Sequence, residues 1–388
     1  MMIKKICTKI ETNRNSDNLI WKIIVFIKDI LWFLSIFFIK IILPLLIIVL
    51  AIIEIYKQNK EYKKLKKEIN LKIPNNKKEI RLFVIVKNEA NRIPFFLKYY
   101  REAGVNRFFF LNNKSTDNTV EILKKEKDVH IVNVTGKLSE KQALWRKTIL
   151  DKYGEDYWCV NTDIDEFLIF PYMEKLDFKK IIKKSEKQNI EGFGGYLIDM
   201  YSKKSIKNTE IPQDYKIFNE MGFFDDPKKL KKYKYQDTCD RVFKCNRDIK
   251  KIPLVKWNKN IYLRMGHHKV TKINLSDKSF AVLHFKYASD FIKDVENQIK
   301  KINSYSMNIY QEYFYQTLIK NSNLSLFNPK YSVKYKNPYQ LKRLGFGKIE
   351  KEKFIDKKFN MFKEYVMNKY DLRYIKNFQL NINLIFHK

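Results

Sequence analysis

Between residues 79 and 161, short apolar runs alternate with amphipathic stretches of helical period, and this alternation constrains the fold more than any other feature. Residues 80–86 (IRLFVIV), 107–111 (RFFFL), 129–134 and 157–161 (YWCVN) have the length and the β-branched or aromatic content of buried strands. Residues 90–103, 116–125 and 139–152 read as the intervening helices, the first closed by Gly104. Strands separated by helices of that length predict βαβ units and an α/β fold built on a mostly parallel sheet.

The chain has 388 residues, enough for one large domain or two ordinary ones. With 45% hydrophobic and 15% aromatic residues it can build an extensive core, which excludes general disorder. Its four cysteines are too few and too scattered for a disulfide scaffold, and no CxxC pair marks a zinc ribbon, so a reducing compartment is expected. The formal charge of +34 would suit nucleic acid or anionic lipid. The excess is mostly lysine, however, spread along a chain also rich in Ile and Asn and poor in Ala and Gly. An AT-rich coding sequence produces that bias, so the expectation is a solvated lysine-rich surface and no nucleic-acid partner.

Residues 30–53 are apolar apart from Lys40 and Glu54 just beyond, with Pro44 in mid-run; about 20 such residues cross a bilayer. Residues 1–56 are therefore expected to be a membrane anchor, single-pass or monotopic. The run is too long for a signal peptide and no small-residue cleavage site follows it. Lys57, Lys60, Lys63, Lys64, Lys66, Lys67 and Lys72 follow, which by the positive-inside rule puts the remainder in the cytoplasm. Residues 57–78 read as a basic juxtamembrane helix and linker able to lie on anionic headgroups. Residues 79–330 form the expected catalytic domain, and residues 331–388 a basic helical extension.

The fourth strand leads into Thr162-Asp163-Ile164-Asp165-Glu166-Phe167. Three carboxylates in four positions lie where an open α/β sheet places its ligands, past a strand's carboxyl end. Such acids repel one another unless a cation joins them, and Mg²⁺ or Mn²⁺ bound by one or two carboxylates and a substrate phosphate meets that need. An extended backbone would turn Asp163 and Asp165 to one side and Ile164 into the protein. A solvated acidic turn is the plain alternative. The first strand ends in Lys87-Asn88-Glu89 and the second in a polar run from Asn112 to Thr119, both on the edge that bears the acids. Ser115, Thr116 and Asp117 serve equally well as caps of the following helix.

VKNEANRIPFFLKYY, GVNRFFFLNNKSTDNTVEIL and DYWCVNTDIDEFLIF together resemble, in order, the pattern of GT-A-fold glycosyltransferases. The likeness is to the bacterial family-2-like group related to family 92. It continues through residues 197–201, 253–257, 266–268 and 282–287. The resemblance implies a Rossmann-like mixed sheet flanked by helices, a nucleotide-sugar donor and a divalent metal on its diphosphate. Carried onto this chain it makes Asp163 and Asp165 the DxD pair, with Asp165 the direct ligand and Asp163 shared with the ribose. Asn88, Glu89, Asn113 and Asp117 would line the nucleotide pocket. Many family 2 members carry two acids where this chain has Asn112-Asn113, which leaves the reading of the base open; UDP is the nucleotide the resemblance implies. The likeness favours inversion, and a glycan or glycolipid acceptor follows from the anchor.

Late histidines often complete such metal sites, which singles out His284 in the apolar run AVLHFKY; a hydrogen-bonded core histidine is the alternative. His267 and His268 are adjacent, so at most one is expected to reach the site, and His130 and His387 are read as structural or surface residues. Inversion needs a general base for the acceptor hydroxyl. Asp199 is favoured because it ends an apolar strand and would project into a cleft; Glu166 and the Asp225/Asp226 pair are the other candidates. Arg241 reads as a phosphate or acceptor contact. Two rival classes remain: a phosphatase using the first Asp as nucleophile, disfavoured by Phe167 and the motif's late position, and a catalytically inactive membrane-tethered scaffold.

Overall fold

The computed structural model describes residues 19–353 except 39–41, 77, 234–235, 246, 265–266, 272, 302–313, 315, 319 and 322. The chain divides into one unit that joins Met1–Glu61 to Asn360–Lys388 and a second, Tyr62–Phe359, that holds the sheet. The strands of that sheet are β1 (Ile80–Val86), β2 (Arg107–Asn112), β3 (Val129–Asn133), β4 (Trp158–Asn161), β5 (Glu166–Ile169), β6 (Gly192–Asp199), β7 (Lys250–Lys256) and β8 (Phe280–His284). Their spatial order is 3-2-1-4-7-6-8-5. β1 runs parallel to β2 and β4, and β2 to β3. β7 is antiparallel to both β4 and β6, so β6 and its parallel neighbour β8 point the same way as β1. The carboxyl ends of β1, β2, β3, β4, β6 and β8 therefore share one edge. Only β5, antiparallel to β8, and β7 oppose them.

The helices used below are α1 (Leu19–Phe37), α2 (Leu43–Glu68), α3 (Ile93–Glu102), α4 (Thr119–Lys124), α5 (Leu138–Tyr153), α6 (Phe178–Glu186) and α7 (Ser289–Lys301). Alternate strand residues serve opposite faces of the sheet. Leu82, Val84, Phe108, Phe110 and Val160 pack with Phe95, Phe96 and Tyr100 of α3 and with Phe178 and Ile181 of α6. Phe83, Phe109, Leu111 and Cys159 pack with Trp145, Ile149 and Leu150 of α5. Burial on both faces explains why the strands read as continuous apolar runs rather than alternating ones. The predicted strands and helices of residues 79–161 are all present, with ends that differ by at most three residues.

The segments outside the sheet depart from expectation. Residues 57–68 are helical, as expected, but the linker that follows is not free. α2 runs on to Glu68; Ile69 is buried with Leu65, Leu71 and Ile73 against it, the Tyr62 hydroxyl donates to Asp151, and Lys152 Nζ donates to the Lys66 carbonyl at 2.7 Å. Nor does the chain leave the large unit at residue 330: Ser332–Lys334 pairs antiparallel with Phe223–Asp225, and Leu341 is fully buried in the core. The rest of the expected extension, residues 354–388, lies outside the described residues, as does His387. The apolar run 30–53 is shared between α1 and α2. Among the described residues no helix is long and apolar enough to cross a membrane.

Glu79, just ahead of β1, illustrates how the sheet's entry edge is tied. Arg107 grips both its oxygens at 2.9 and 2.5 Å, and Arg81 adds a contact at 3.2 Å. Burial pushes the Glu79 carboxyl up, but the two guanidiniums outweigh it and hold the group below the usual range. A lowered folded pKa stabilises above the unfolded value and is lost as pH falls through the folded one. Glu79→Ala should therefore cost about 3–5 kcal/mol at pH 7, since it strands buried guanidinium charge. The gap from wild type should narrow as pH drops below about 4.3. Urea titrations at pH 7 and pH 3.5 check this; an equal gap at both would refute it.

Candidate functional site

The edge where the carboxyl ends meet contains a switch in strand order, because β1 connects outward to β2 and β3 while β4 lies on its other side. Ligands of open α/β sheets bind at such crevices. Two loops border it. The Asn88 and Glu89 backbone N–H groups donate to Ser115 Oγ (3.0 Å) and Thr119 Oγ1 (2.8 Å), and Ala90 N–H donates to Asp117 Oδ2 (3.1 Å). Asn88 has φ 58°, a left-handed conformation that asparagine tolerates, and its Oδ1 accepts from the Thr116 N–H at 2.7 Å. Asn113 is buried and donates to the Gly136 carbonyl at 3.3 Å. Asn88, Asp117, Ser115 and Thr119 thus lock the two loops together, which gives the polar cluster a structural task.

The acidic motif is a turn rather than the expected extended segment: Glu166 N–H donates to the Asp163 carbonyl at 3.1 Å. Ile164 is buried as predicted, but the turn sends the two aspartates to different partners. Asp163 Oδ1 accepts from Arg146 Nη2 at 2.5 Å, and its Oδ2 lies 3.1 Å from Lys251 Nζ. Desolvation pushes the Asp163 carboxyl up, and Lys251 and Arg146 overcome it, bringing it down to about 2. Lys251 also lies 3.0 Å from Glu166 Oε1, while Glu166 Oε2 accepts from the Thr162 hydroxyl and the Asp163 N–H. Burial opposes ionisation of Glu166 too, and Lys251 and His267 more than offset it.

Asp165 faces the other way. Its Oδ2 is 3.2 Å from His284 Nε2, and its side chain keeps 20% exposure. The position of His284 follows from register: it is the last residue of β8, paired with Asp199 on β6 and with Glu166 on β5. Its other nitrogen, Nδ1, lies 2.8 Å from Asp199 Oδ1. Burial pulls the His284 pKa down, but Asp165 and Asp199 together raise it. Arg92, at the start of α3, bridges Glu89 (3.0 Å) and Asp290 of α7. Burial, opposed by Arg92 and reinforced by Asp165, pushes the Glu89 carboxyl up to about 8.

Several expectations need correction. Asp199 does not project into a cleft. Its carboxylate has no exposed surface and is held by His284 and Arg247. Glu166, 2% exposed, is equally enclosed by Lys251. Arg241 is bound to Asp225 at 2.7 Å and to the Leu326 carbonyl at 2.6 Å, so its charge is already matched by a buried acid. That pairing also occupies Asp225, while Asp226 caps a short helix through Lys228 N–H. His267 and His268 lie in a turn, not a strand, and only His267 approaches Glu166, at 3.6 Å. His130 sits against Arg107, within the sheet's entry network.

Sequence reasoning missed Arg146, Lys251, Arg247 and Arg92. Each is a single basic residue in a chain with 77 of them, and only its burial distinguishes it. The signal within reach was Lys251 itself, at the start of an otherwise apolar strand segment.

Among the described residues, two groups near the acidic motif have donor atoms for a cation. Asp163, Glu166 and His267 offer three within 4.8 Å of one another. Lys251 already bridges the two acids there, so an ion would have to displace a buried ammonium, and this set does not fit. Asp165 Oδ2 and His284 Nε2, 3.2 Å apart, match adjacent ligands of an ion whose bonds are about 2.1 Å, which stand roughly 3 Å from each other. The Asp199–His284 contact is the carboxylate–histidine arrangement that orients a metal-bound imidazole. This second set fits. An apolar cavity of about 240 Å³ beside Tyr99, Phe170 and Tyr215 includes none of these residues.

Fold and site thus define an α/β protein with clustered acids and a histidine at the edge where the carboxyl ends of its strands meet. No family model matches the chain, and no curated protein matches it. Among solved structures it is similar to UDP-glucose pyrophosphorylase complexed with UDP-glucose, with 10% identity over 63% of this chain and 88% of that one and a TM-score of 0.23. The apo UDP-glucose pyrophosphorylase gives 11%, 62%, 86% and 0.21. The UTP-bound enzyme from Acinetobacter baumannii gives 8%, 80%, 100% and 0.21. Likeness at that level carries no functional argument.

Proposed function

We propose that the protein is a metal-dependent glycosyltransferase that moves a sugar from a nucleotide-sugar donor, UDP-linked, to a hydroxyl of a glycan or glycolipid, with inversion. The observation that supports this reading best is the Asp165–His284–Asp199 array at the strand-order switch. Asp165 and His284 would hold Mn²⁺ or Mg²⁺, and Asp199 orients the imidazole. A cation bound there neutralises the charge that develops on a departing nucleoside diphosphate. The chain's own residues do the rest of the positioning. Arg146 and Lys251 hold Asp163 in place behind the turn, and Arg92 fixes Glu89 beside Asp165. The interlocked loops at Asn88 and Asp117 set the wall against which a nucleotide would rest.

The test is calorimetry of a sugar-nucleotide panel with and without Mn²⁺, followed by donor hydrolysis. Expected is binding of at least one donor that requires the metal. Donor binding indifferent to metal would reject the proposal and leave an inactive scaffold as the better reading.

The N-terminal unit is proposed to associate with a bilayer as a monotopic or hairpin element, the catalytic unit lying on the cytoplasmic side. Phe26, Leu31, Trp32 and Phe33 of α1 are each more than half exposed, the kind of apolar surface that lipid covers. Flotation with vesicles containing anionic lipid should carry the full chain upward; a chain that stays in the load fraction would rule this out.

A further inference from the structure

We propose that Arg247 is a positioning residue that governs cation affinity at Asp165 and His284 through Asp199; the inference rests on the cation reading above. A continuous line of buried contacts carries it. Asp237 caps the short helix Thr238–Phe243, its Oδ1 accepting from the Asp240 N–H at 2.7 Å. Its other oxygen accepts from Arg247 Nε at 2.8 Å. Arg247 Nη2 donates to Asp199 Oδ2, and Asp199 Oδ1 meets His284 Nδ1 at 2.8 Å. His284 Nε2 then faces Asp165.

Geometry makes Arg247 the member that decides. A carboxylate at a strand end can rotate about its last bond, and rotation of Asp199 would take Oδ1 away from the imidazole. The guanidinium prevents this by engaging the outer oxygen while Asp237 holds it from behind. Tyr287, with its hydroxyl 3.4 Å from the same Asp199 oxygen, is too distant to substitute. A lysine carries the charge but not the planar fork that joins two carboxylates at once. Groups that orient a metal-bound histidine typically change metal affinity 10–100-fold when removed.

Charge alone predicts the opposite sign. Arg247→Met makes the surroundings of the site more negative by one, which would tighten binding of a divalent cation. The proposal requires weaker binding, so the direction separates positioning from simple electrostatics.

The experiment titrates Mn²⁺ alone into the metal-free full chain, followed by electron paramagnetic resonance. Nitrogen modulation in pulsed spectra reports an imidazole on the ion. Wild type should bind Mn²⁺ with that modulation, and His284→Ala should abolish the modulation. Arg247→Met and Arg247→Lys should each weaken Mn²⁺ binding about 10–100-fold and diminish the modulation. Unchanged or tighter binding with modulation intact in Arg247→Met would overturn the inference while leaving the cation reading standing. Absence of nitrogen modulation in wild type would remove the cation reading and this inference with it. Should Arg247→Met fail to fold, Asp237→Asn decides the matter. Asparagine still caps the helix, yet it loosens the anchor of Arg247. A several-fold loss of Mn²⁺ affinity supports the proposal, and full retention defeats it.

Discussion

Asp165→Ala is expected to reduce metal-dependent donor binding and sugar transfer by at least about 10³-fold while the protein stays folded. Asp163 and Asp165 both keep exposed surface, 39% and 20% of their side chains, but Asp165 is the one whose carboxylate meets a histidine rather than a lysine or arginine. Removing it leaves His284 still bound to Asp199, so no buried charge is orphaned and the melting temperature should move by only a few degrees. Asp163→Ala should behave in the opposite proportion. It strands Arg146 and leaves Lys251 with one acid, so stability suffers first. Calorimetric titration with Mn²⁺ and donor, paired with thermal melts, separates the two. Full metal-dependent donor binding by Asp165→Ala would remove the basis of the site assignment.

Lys251→Met is expected to destabilise the fold as strongly as the Glu79 variant. The ammonium is almost fully buried and lies within 3.1 Å of two carboxylates, one of which, Glu166, has no access to water. Desolvation alone would lower the lysine pKa, but Glu166 and Asp163 raise it instead, so the ion pair forms at any ordinary pH. Replacing one partner of such a group leaves uncompensated charge inside the protein and should cost about 3–5 kcal/mol. Adding Glu166→Gln removes the orphaned charge and should recover a substantial part of that loss. Urea denaturation of the single and double variants measures both quantities. A single variant within about 0.5 kcal/mol of wild type would show that Lys251 is not the counter-ion of this pair.

Much of the sheet was legible because local chemistry dictates it. Runs such as IRLFVIV and RFFFL bury side chains on both faces, and the amphipathic stretches between them suit only helices that cover a sheet. Strand-end position made the acidic motif identifiable, whereas His284 was singled out by the resemblance and not by its place at a strand end. The backbone path through Asp163-Ile164-Asp165 was not legible. An extended chain and a turn bury Ile164 equally well, and the turn depends on Glu166 reaching back to the Asp163 and Thr162 donors. The role expected of Asp199 failed for a similar reason, since exposure depends on what packs over a strand end.

The membrane expectation rested on hydropathy summed along the chain; among the described residues no helix is long and apolar enough to cross a membrane. α1 is α-helical to Phe37 and α2 from Leu43; Phe38 and Ile42 between them are π-helical, and residues 39–41 lie outside the described residues. Lysines 57–72 pointed to a helix and linker lying on headgroups; the helix is there, yet Ile69, Leu65 and Leu71 among those lysines pack on the α5 side of the sheet.

Sequence alone determined the α/β class, the strand–helix order to residue 161 and the edge that carries the polar motifs. These depend on side-chain periodicity, which each short segment expresses by itself. Tertiary structure alone decided which charge meets which. Lys251, Arg146 and Arg247 come from residues 88, 17 and 48 positions away from the acids they bind. Strand order and register bring them together, and neither can be read from one segment, because a pairing between distant residues is a property of the closed fold.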